Sequence, residues 1–219
     1  MITDQLLKLQ HLADSALPIG AAAHSFGLES LVDADLLCVE TLEAFLLGFL
    51  EETGALEASY CAASCGIRNV DEWMALNAQL GARKSARESR EGSAAMGRRF
   101  LHLAAAMSRG PLLEQACQEA EGEIHLANAF GFVAGTLGIE PELASAAFLQ
   151  QSITTLISCC QRLLPLGQTR AHQIVWNLKA AILETARSIV PAREVYCFSP
   201  LVEIVSARHP TLSTRLFVS

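Results

Sequence analysis

Apolar residues recur at helical spacing along nearly the whole of this 219-residue chain. Leu42, Phe45, Leu46, Phe49 and Leu50 fall at i, i+3, i+4, i+7 and i+8, which puts them on one side of a helix. Met96, Phe100, Leu103 and Met107 repeat the spacing, as do Ile153, Leu156, Ile157, Cys160 and Leu164, and then Ile174, Leu178, Ile182 and Ile189. No stretch alternates like a strand for long. The composition agrees: 51% of the residues are hydrophobic and only 6% aromatic, with Ala and Leu dominant, residues that lose little on entering a helix.

Start and stop signals divide this pattern. Pro111, Pro141 and Pro200 each suit a first helical position, where the missing N–H is not needed. Breaks are expected at Gly54, Gly66, Gly110, Gly138, Pro165-Leu166-Gly167 and Pro191. The chain therefore reads as all-α, a single compact multi-helix domain over 1–208 of roughly eight to ten helices. Residues 209–219 lack an amphipathic pattern and read as an irregular C-terminal tail that frays when alone.

Charge and cysteine usage exclude several classes. The formal net charge is −7, so a basic nucleic-acid face is not expected; the Arg-rich stretch 83–99 is the local exception. Seven Cys in a helical chain argue against a disulfide scaffold. Met1-Ile2-Thr3-Asp4 does not open a signal peptide, and no unbroken apolar run approaches the roughly 18 residues of a membrane span. The expected setting is a reducing cytoplasm, with no membrane and no nucleic acid as partner.

Catalytic and metal motifs fail on spacing. Gly81-Ala82-Arg83-Lys84-Ser85 resembles the end of a P-loop, but Arg83 and Ala78 stand where that loop needs glycine. Cys61 and Cys65 share a helix face and Cys159-Cys160 are adjacent, yet nothing completes a tetrahedral set; small buried hydrophobes explain them. No G-x-S-x-G elbow is present, and His24 and Ser25, being adjacent, would point apart on a helix. The competing class is a helical enzyme or metal-storage protein with a site between helices. Its best trace is Glu121 and His125, at i, i+4 and without a second copy.

Three segments carry more than a helical pattern. Leu17-Pro18-Ile19-Gly20 leads through Ala21-Ala22-Ala23 to His24-Ser25-Phe26-Gly27-Leu28-Glu29, a small-residue turn between helices. Ala86-Arg87-Glu88-Ser89-Arg90-Glu91 precedes Met96-Gly97, and Lys84–Glu88 and Arg87–Glu91 are i, i+4 opposite charges. Pro165-Leu166-Gly167-Gln168 breaks an apolar region, with Gln173 near the start of the next helix; valine at Gly167 is expected to disturb this turn.

These segments, in this order, resemble the UreF family of urease accessory proteins. The end is similar too, in Ser206-Ala207-Arg208-His209 and Arg215-Leu216-Phe217 with terminal Ser219. Ala21-Ala22-Ala23 stand where that family usually has a glycine, an aromatic and a hydroxyl residue; Ser213 and Val218 replace a tyrosine and an arginine of the tail. The resemblance implies a cytoplasmic, all-α, homodimeric maturation factor without catalytic residues or a metal site of its own, and without a stably bound cofactor. It would join a UreD (UreH)-like protein and the GTPase UreG in the complex that delivers nickel, its cargo, to apo-urease. It would also regulate the GTPase. By resemblance the partner-binding residues are Pro18, Gly20, His24, Ser25, Gly27, Glu29, Arg87, Glu88, Arg90, Pro165, Gly167, Gln168, Gln173, His209, Arg215, Leu216 and Phe217.

Overall fold

The computed structural model describes residues 2–218. Terminal Ser219 lies outside the described residues. Among these the chain is helical and contains no strand. The helices run α1 (Ile2–Leu12), α2 (Leu28–Asp33), α3 (Leu42–Phe49), α4 (Ala55–Gly66), α5 (Val70–Arg83), α6 (Arg87–Met107), α7 (Pro111–Glu119), α8 (Leu126–Thr136), α9 (Pro141–Leu163), α10 (Gln168–Asn177), α11 (Lys179–Arg187) and α12 (Pro200–Arg208). Pro111, Pro141 and Pro200 open α7, α9 and α12, as their chemistry requires. Asn69 caps α5, its side chain accepting from the Glu72 amide at 3.0 Å.

One expected break is missing, and one break stands where none was expected. Gly54 does not stop a helix: a π-turn at Leu50–Gly54 carries α3 straight into α4. Gly54 is buried with helical φ −61° and ψ −46°, and a Cβ there would come within 3.3 Å of the Leu149 side chain. Its smallness serves the approach of α9. Conversely, α10 and α11 meet at Leu178 without a loop, although Ile174, Leu178 and Ile182 keep one buried stripe across the joint.

The core sits where α8 is sandwiched by α4, α6 and α9. Every residue from Ala127 to Gly135 is buried. Gly131 and Gly135, one turn apart, face α4: a Cβ on Gly131 would overlap the Cys61 carbonyl, and one on Gly135 that of Cys65. The two backbones touch because these side chains are missing. Trp73 stacks on Phe132 at 4.4 Å between ring centres, and Phe130 lies between Phe100 and Phe148. Two buried polar side chains are bonded along the same seam: the Asn128 amide donates to Ser64 Oγ at 3.1 Å, and Ser145 Oγ to the Ala58 carbonyl at 3.1 Å.

α9 is the one described helix long and apolar enough to cross a membrane, with mean hydropathy 1.3 over an 18-residue window. Ser, Thr and Gln interrupt its apolar residues, so no unbroken run displays that average. The helix packs against α4, α8, α10 and α11, and 56% of the window is buried inside the protein, so its apolar character is that of a core helix.

Candidate functional site

The first motif and the C-terminal tail come together around one carboxylate. After α1 the chain turns at Asp14, whose Oδ1 accepts from the Ala16 amide at 2.8 Å. Gly20 then adopts φ +84°, a single 3₁₀ turn covers Ala21–Ala23, and Gly27 adopts φ +86° immediately before α2. A Cβ on Gly27 would stand 2.7 Å from Ser206 Oγ and 3.3 Å from the Val205 side chain, so this glycine lets α12 seat against α2. Two residues on, Glu29 is 6% exposed.

Glu29 gathers three donors. One oxygen accepts from the Leu216 amide at 2.6 Å; the other accepts from the Phe217 amide at 3.3 Å and lies 2.7 Å from His209 Nε2. Two successive backbone amides and an imidazole on one buried carboxylate make a charge-assisted latch. Arg162, in the last turn of α9, closes the other side. Its guanidinium donates to the Ala22 carbonyl at 2.7 Å and the Leu216 carbonyl at 3.3 Å, and lies 4.1 Å from the centre of the Phe217 ring. The Val218 amide donates to the Ala23 carbonyl at 2.8 Å. The Cys159 thiol donates to the His24 carbonyl at 3.2 Å, and burial pushes that thiol up to about 11, so it remains a neutral donor. His24 is itself buried, and burial with the nearby Arg99 lowers its basicity.

The tail therefore packs in the free chain, contrary to the fraying expected of 209–219. His209 and Phe217 are 1% and 5% exposed. The sequence offers only two adjacent apolar side chains there, and the docking is carried mainly by main-chain donors that no residue pattern displays. Leu216 remains 61% exposed, and Arg215 and Pro18 are exposed as well. Of the residues singled out, Gly20, His24, Ser25, Gly27, Glu29, His209, Leu216 and Phe217 thus share one region. Arg162, a lone Arg in an apolar helix, gave no signal in the sequence.

The mid-chain segment is a second place. Arg87 pairs with Glu91 at 2.7 Å on an exposed face, while Arg90 reaches Glu123 at 3.5 Å and the Lys84 carbonyl at 3.4 Å. The expected Lys84–Glu88 pair does not form. α6 begins only at Arg87, so the two residues do not share a helix face, and Lys84 is buried against Glu57 instead. Glu88 is half-buried near the helix start. Beside this point Arg83 donates to the carbonyls of Val195 and Arg193, holding an extended strap. The strap is tied down again by the Phe198 amide on Glu52 at 2.7 Å.

The turn before α10 is a third place. Pro165, Gly167, Gln168 and Gln173 are exposed, and Leu166 is the buried member. Gly167 has φ −70° and ψ 154°, and nothing lies within 4 Å of a Cβ built on it. Valine fits there without steric disturbance, which corrects the expectation drawn from the turn. The Glu121–His125 pair falls in a loop, with Glu121 exposed and His125 buried; desolvation, then Lys84 and Arg90, lower the imidazole to about 4. Among the described residues no group of three or more His, Cys, Asp or Glu is placed to hold a metal ion.

The family model for UreF matches residues 38–179. A urease accessory protein UreF from a Picosynechococcus species is 32% identical over 98% of this chain and all of that protein. A Bacillus urease accessory protein UreF is 28% identical over 99% of this chain, again across its full length. The chain belongs to the UreF family. Within this UreF chain the family model spans α3 to α10, the helical core. The two halves of the Glu29 latch lie outside it. Membership ties the chain to urease maturation as an accessory protein.

Proposed function

We propose that this chain is a non-catalytic scaffold of urease maturation, which joins a UreD/UreH-like protein and the GTPase UreG and so serves nickel delivery to apo-urease. The observation that carries this reading is the C-terminal run Tyr196, Phe198, Leu201 and Ile204. These side chains are 91%, 79%, 50% and 57% exposed. An apolar series of this kind on the surface marks a face that a partner covers. It is held rigidly from beneath, by Arg83 on the strap and by Val205 and Ser206 of α12 against Gly27. A scaffold works through such preformed faces.

Trp176, 72% exposed on α10, with Leu183 at 43% on α11, forms a second apolar surface suited to a homodimer contact. Its rim is polar: Lys179 lies 5.5 Å from the Trp176 ring centre, and Asn177 donates to Glu43 at 3.1 Å. In this reading the GTPase is regulated by being held, the complex works in the cytoplasm, and this chain retains no cofactor. Co-expression with the UreD- and UreG-like proteins, pull-down and activation of apo-urease test it. Capture of both partners and nickel-dependent activation are expected for the native chain. Loss of UreD capture is expected for a Tyr196→Ser, Phe198→Ser variant that still melts like the native protein. Undiminished capture by that variant overturns the assignment of the face.

A further inference from the structure

The docked tail is held through its main chain. The Leu216 amide donates to Glu29 and the Leu216 carbonyl accepts from Arg162; the Phe217 amide follows on Glu29 and the Val218 amide on the Ala23 carbonyl. Of these three side chains only Phe217 is buried, against Arg162, while Leu216 and Val218 stay exposed. Main-chain bonds with a pocket for one side chain are how an extended peptide is held on a receptor surface. Every receptor group comes from residues 22–29 and from Arg162, which is tied to the Ala22 carbonyl whether or not the tail is docked. Before the docked segment, His209 is buried on Glu29. Ser213, Thr214 and Arg215 are exposed and make no hydrogen bond or ion pair among the described residues. Residues 216–218 are therefore anchored at the end of the tether 210–215, which spans at most about 20 Å when extended.

We infer that the cradle of Glu29, Arg162 and the Ala22 and Ala23 carbonyls is a peptide-binding site that also accepts a short extended segment with a central aromatic in trans, and that this second occupant is the tail of another copy of the chain. A second copy carries the one segment whose fit to the cradle the structure displays. Reciprocal exchange of tails keeps every bond, since each copy gives up one docked tail and receives another. Exchange breaks only the bonds of 216–218, because the tether beyond Leu212 has none to lose. Docking within one chain works against an effective concentration of order millimolar for a short flexible tether. A tail that is docked in the free chain therefore has an intrinsic dissociation constant below that, within reach of titration. This inference goes beyond the reading as a maturation scaffold and does not rest on it.

Full-length chains and one synthetic peptide test it. The acceptor is Leu216→Pro, Phe217→Ser, which lacks one amide donor to Glu29 and the ring against Arg162, so its own tail leaves the cradle. The donor is Glu29→Ala, whose cradle is broken and whose tail is intact. A peptide of residues 210–219 is expected to bind the acceptor saturably, with a submillimolar Kd. It should bind the native chain about tenfold more weakly or less, because that cradle is filled. Adding Arg162→Ala to the acceptor should also cost about tenfold, the value of one hydrogen bond to a charged group. The tagged acceptor is expected to capture the donor several-fold better than the tagged native chain does, and Arg162→Ala in the acceptor should remove the excess. The native chain as reference subtracts any association through another face. Melting identifies a variant that fails to fold; Phe217→Ser and Arg162→Ala then stand in as acceptor and donor. No saturable binding of the peptide to a folded acceptor, or peptide binding without excess capture of the donor, overturns the inference.

Discussion

The seam between α8 and α4 and the seam between the tail and the Ala22–His24 turn both bring main chain close to main chain, by opposite means. At the first, closeness comes from absence: Gly131 and Gly135 carry no side chain where the Cys61 and Cys65 carbonyls pass. Only side-chain bonds at its edge accompany the contact, Asn128 to Ser64 Oγ and Arg68 to the Gly135 carbonyl, and it sits at the centre of the core. At the second, closeness comes from one carboxylate and one guanidinium, which satisfy amides and carbonyls that water would otherwise solvate. A glycine seam fails by expelling a whole helix. A charged latch fails by letting go of the tail alone, and the rest of the fold persists. The difference separates what holds this protein together from what it can release.

The largest effect is expected at the glycine seam. Gly131→Leu places a side chain inside the Cys61 carbonyl and should cost at least about 3 kcal/mol, with loss of a cooperative transition in thermal melting. A variant that melts within a few degrees of the native protein would break the comparison. Next comes acid. His125 is held neutral, at about 4, against an ordinary 6.5, so the unfolded chain takes up a proton that the folded chain refuses. Stability from this residue is complete above pH 6.5 and falls as pH drops towards 4, by up to about 3 kcal/mol. Urea unfolding at pH 7 and pH 4.5 should therefore show a pH dependence that His125→Asn reduces.

The latch ranks third. Glu29→Ala should cost about 1–3 kcal/mol, the range for hydrogen bonds to a charged group, and should expose residues 210–218 to protease while α1 to α11 remain folded. Global unfolding of this variant would place the tail within the core and erase the contrast. Smallest is Gly167→Val, expected within about 0.5 kcal/mol of native because the site is open and the backbone ordinary. A larger loss in melting would reveal a constraint at the turn before α10 that its geometry does not contain.

Much of the first seam's surroundings was legible in the sequence, and little of the second. Stripes such as Leu42, Leu46 and Leu50 follow from spacing alone, and the prolines at 111, 141 and 200 mark their helices correctly. The two glycines that make α8 fit were hidden, because they lie in a segment buried all round and break no period. Gly54 misled for a related reason: glycine signals either a stop or a close approach, and only the neighbour Leu149 decides which. In the motif around Glu29 the residue types were visible, but a carboxylate that binds main-chain amides near the far end of the chain leaves no local pattern. Arg162 shows this most sharply. It pins the tail from three residues before Pro165, and no spacing or motif marks it.

Amide hydrogen exchange at Leu216 and Phe217 tests most directly whether the tail is latched in the free protein. Both amides donate to Glu29. In the native chain without partners they should exchange markedly more slowly than a free peptide, and Glu29→Ala should return them to the free rate while amides of α8 stay protected. Free-chain exchange at both positions in the native protein would contradict the latch, and would return residues 209–218 to a tail that orders only on a partner.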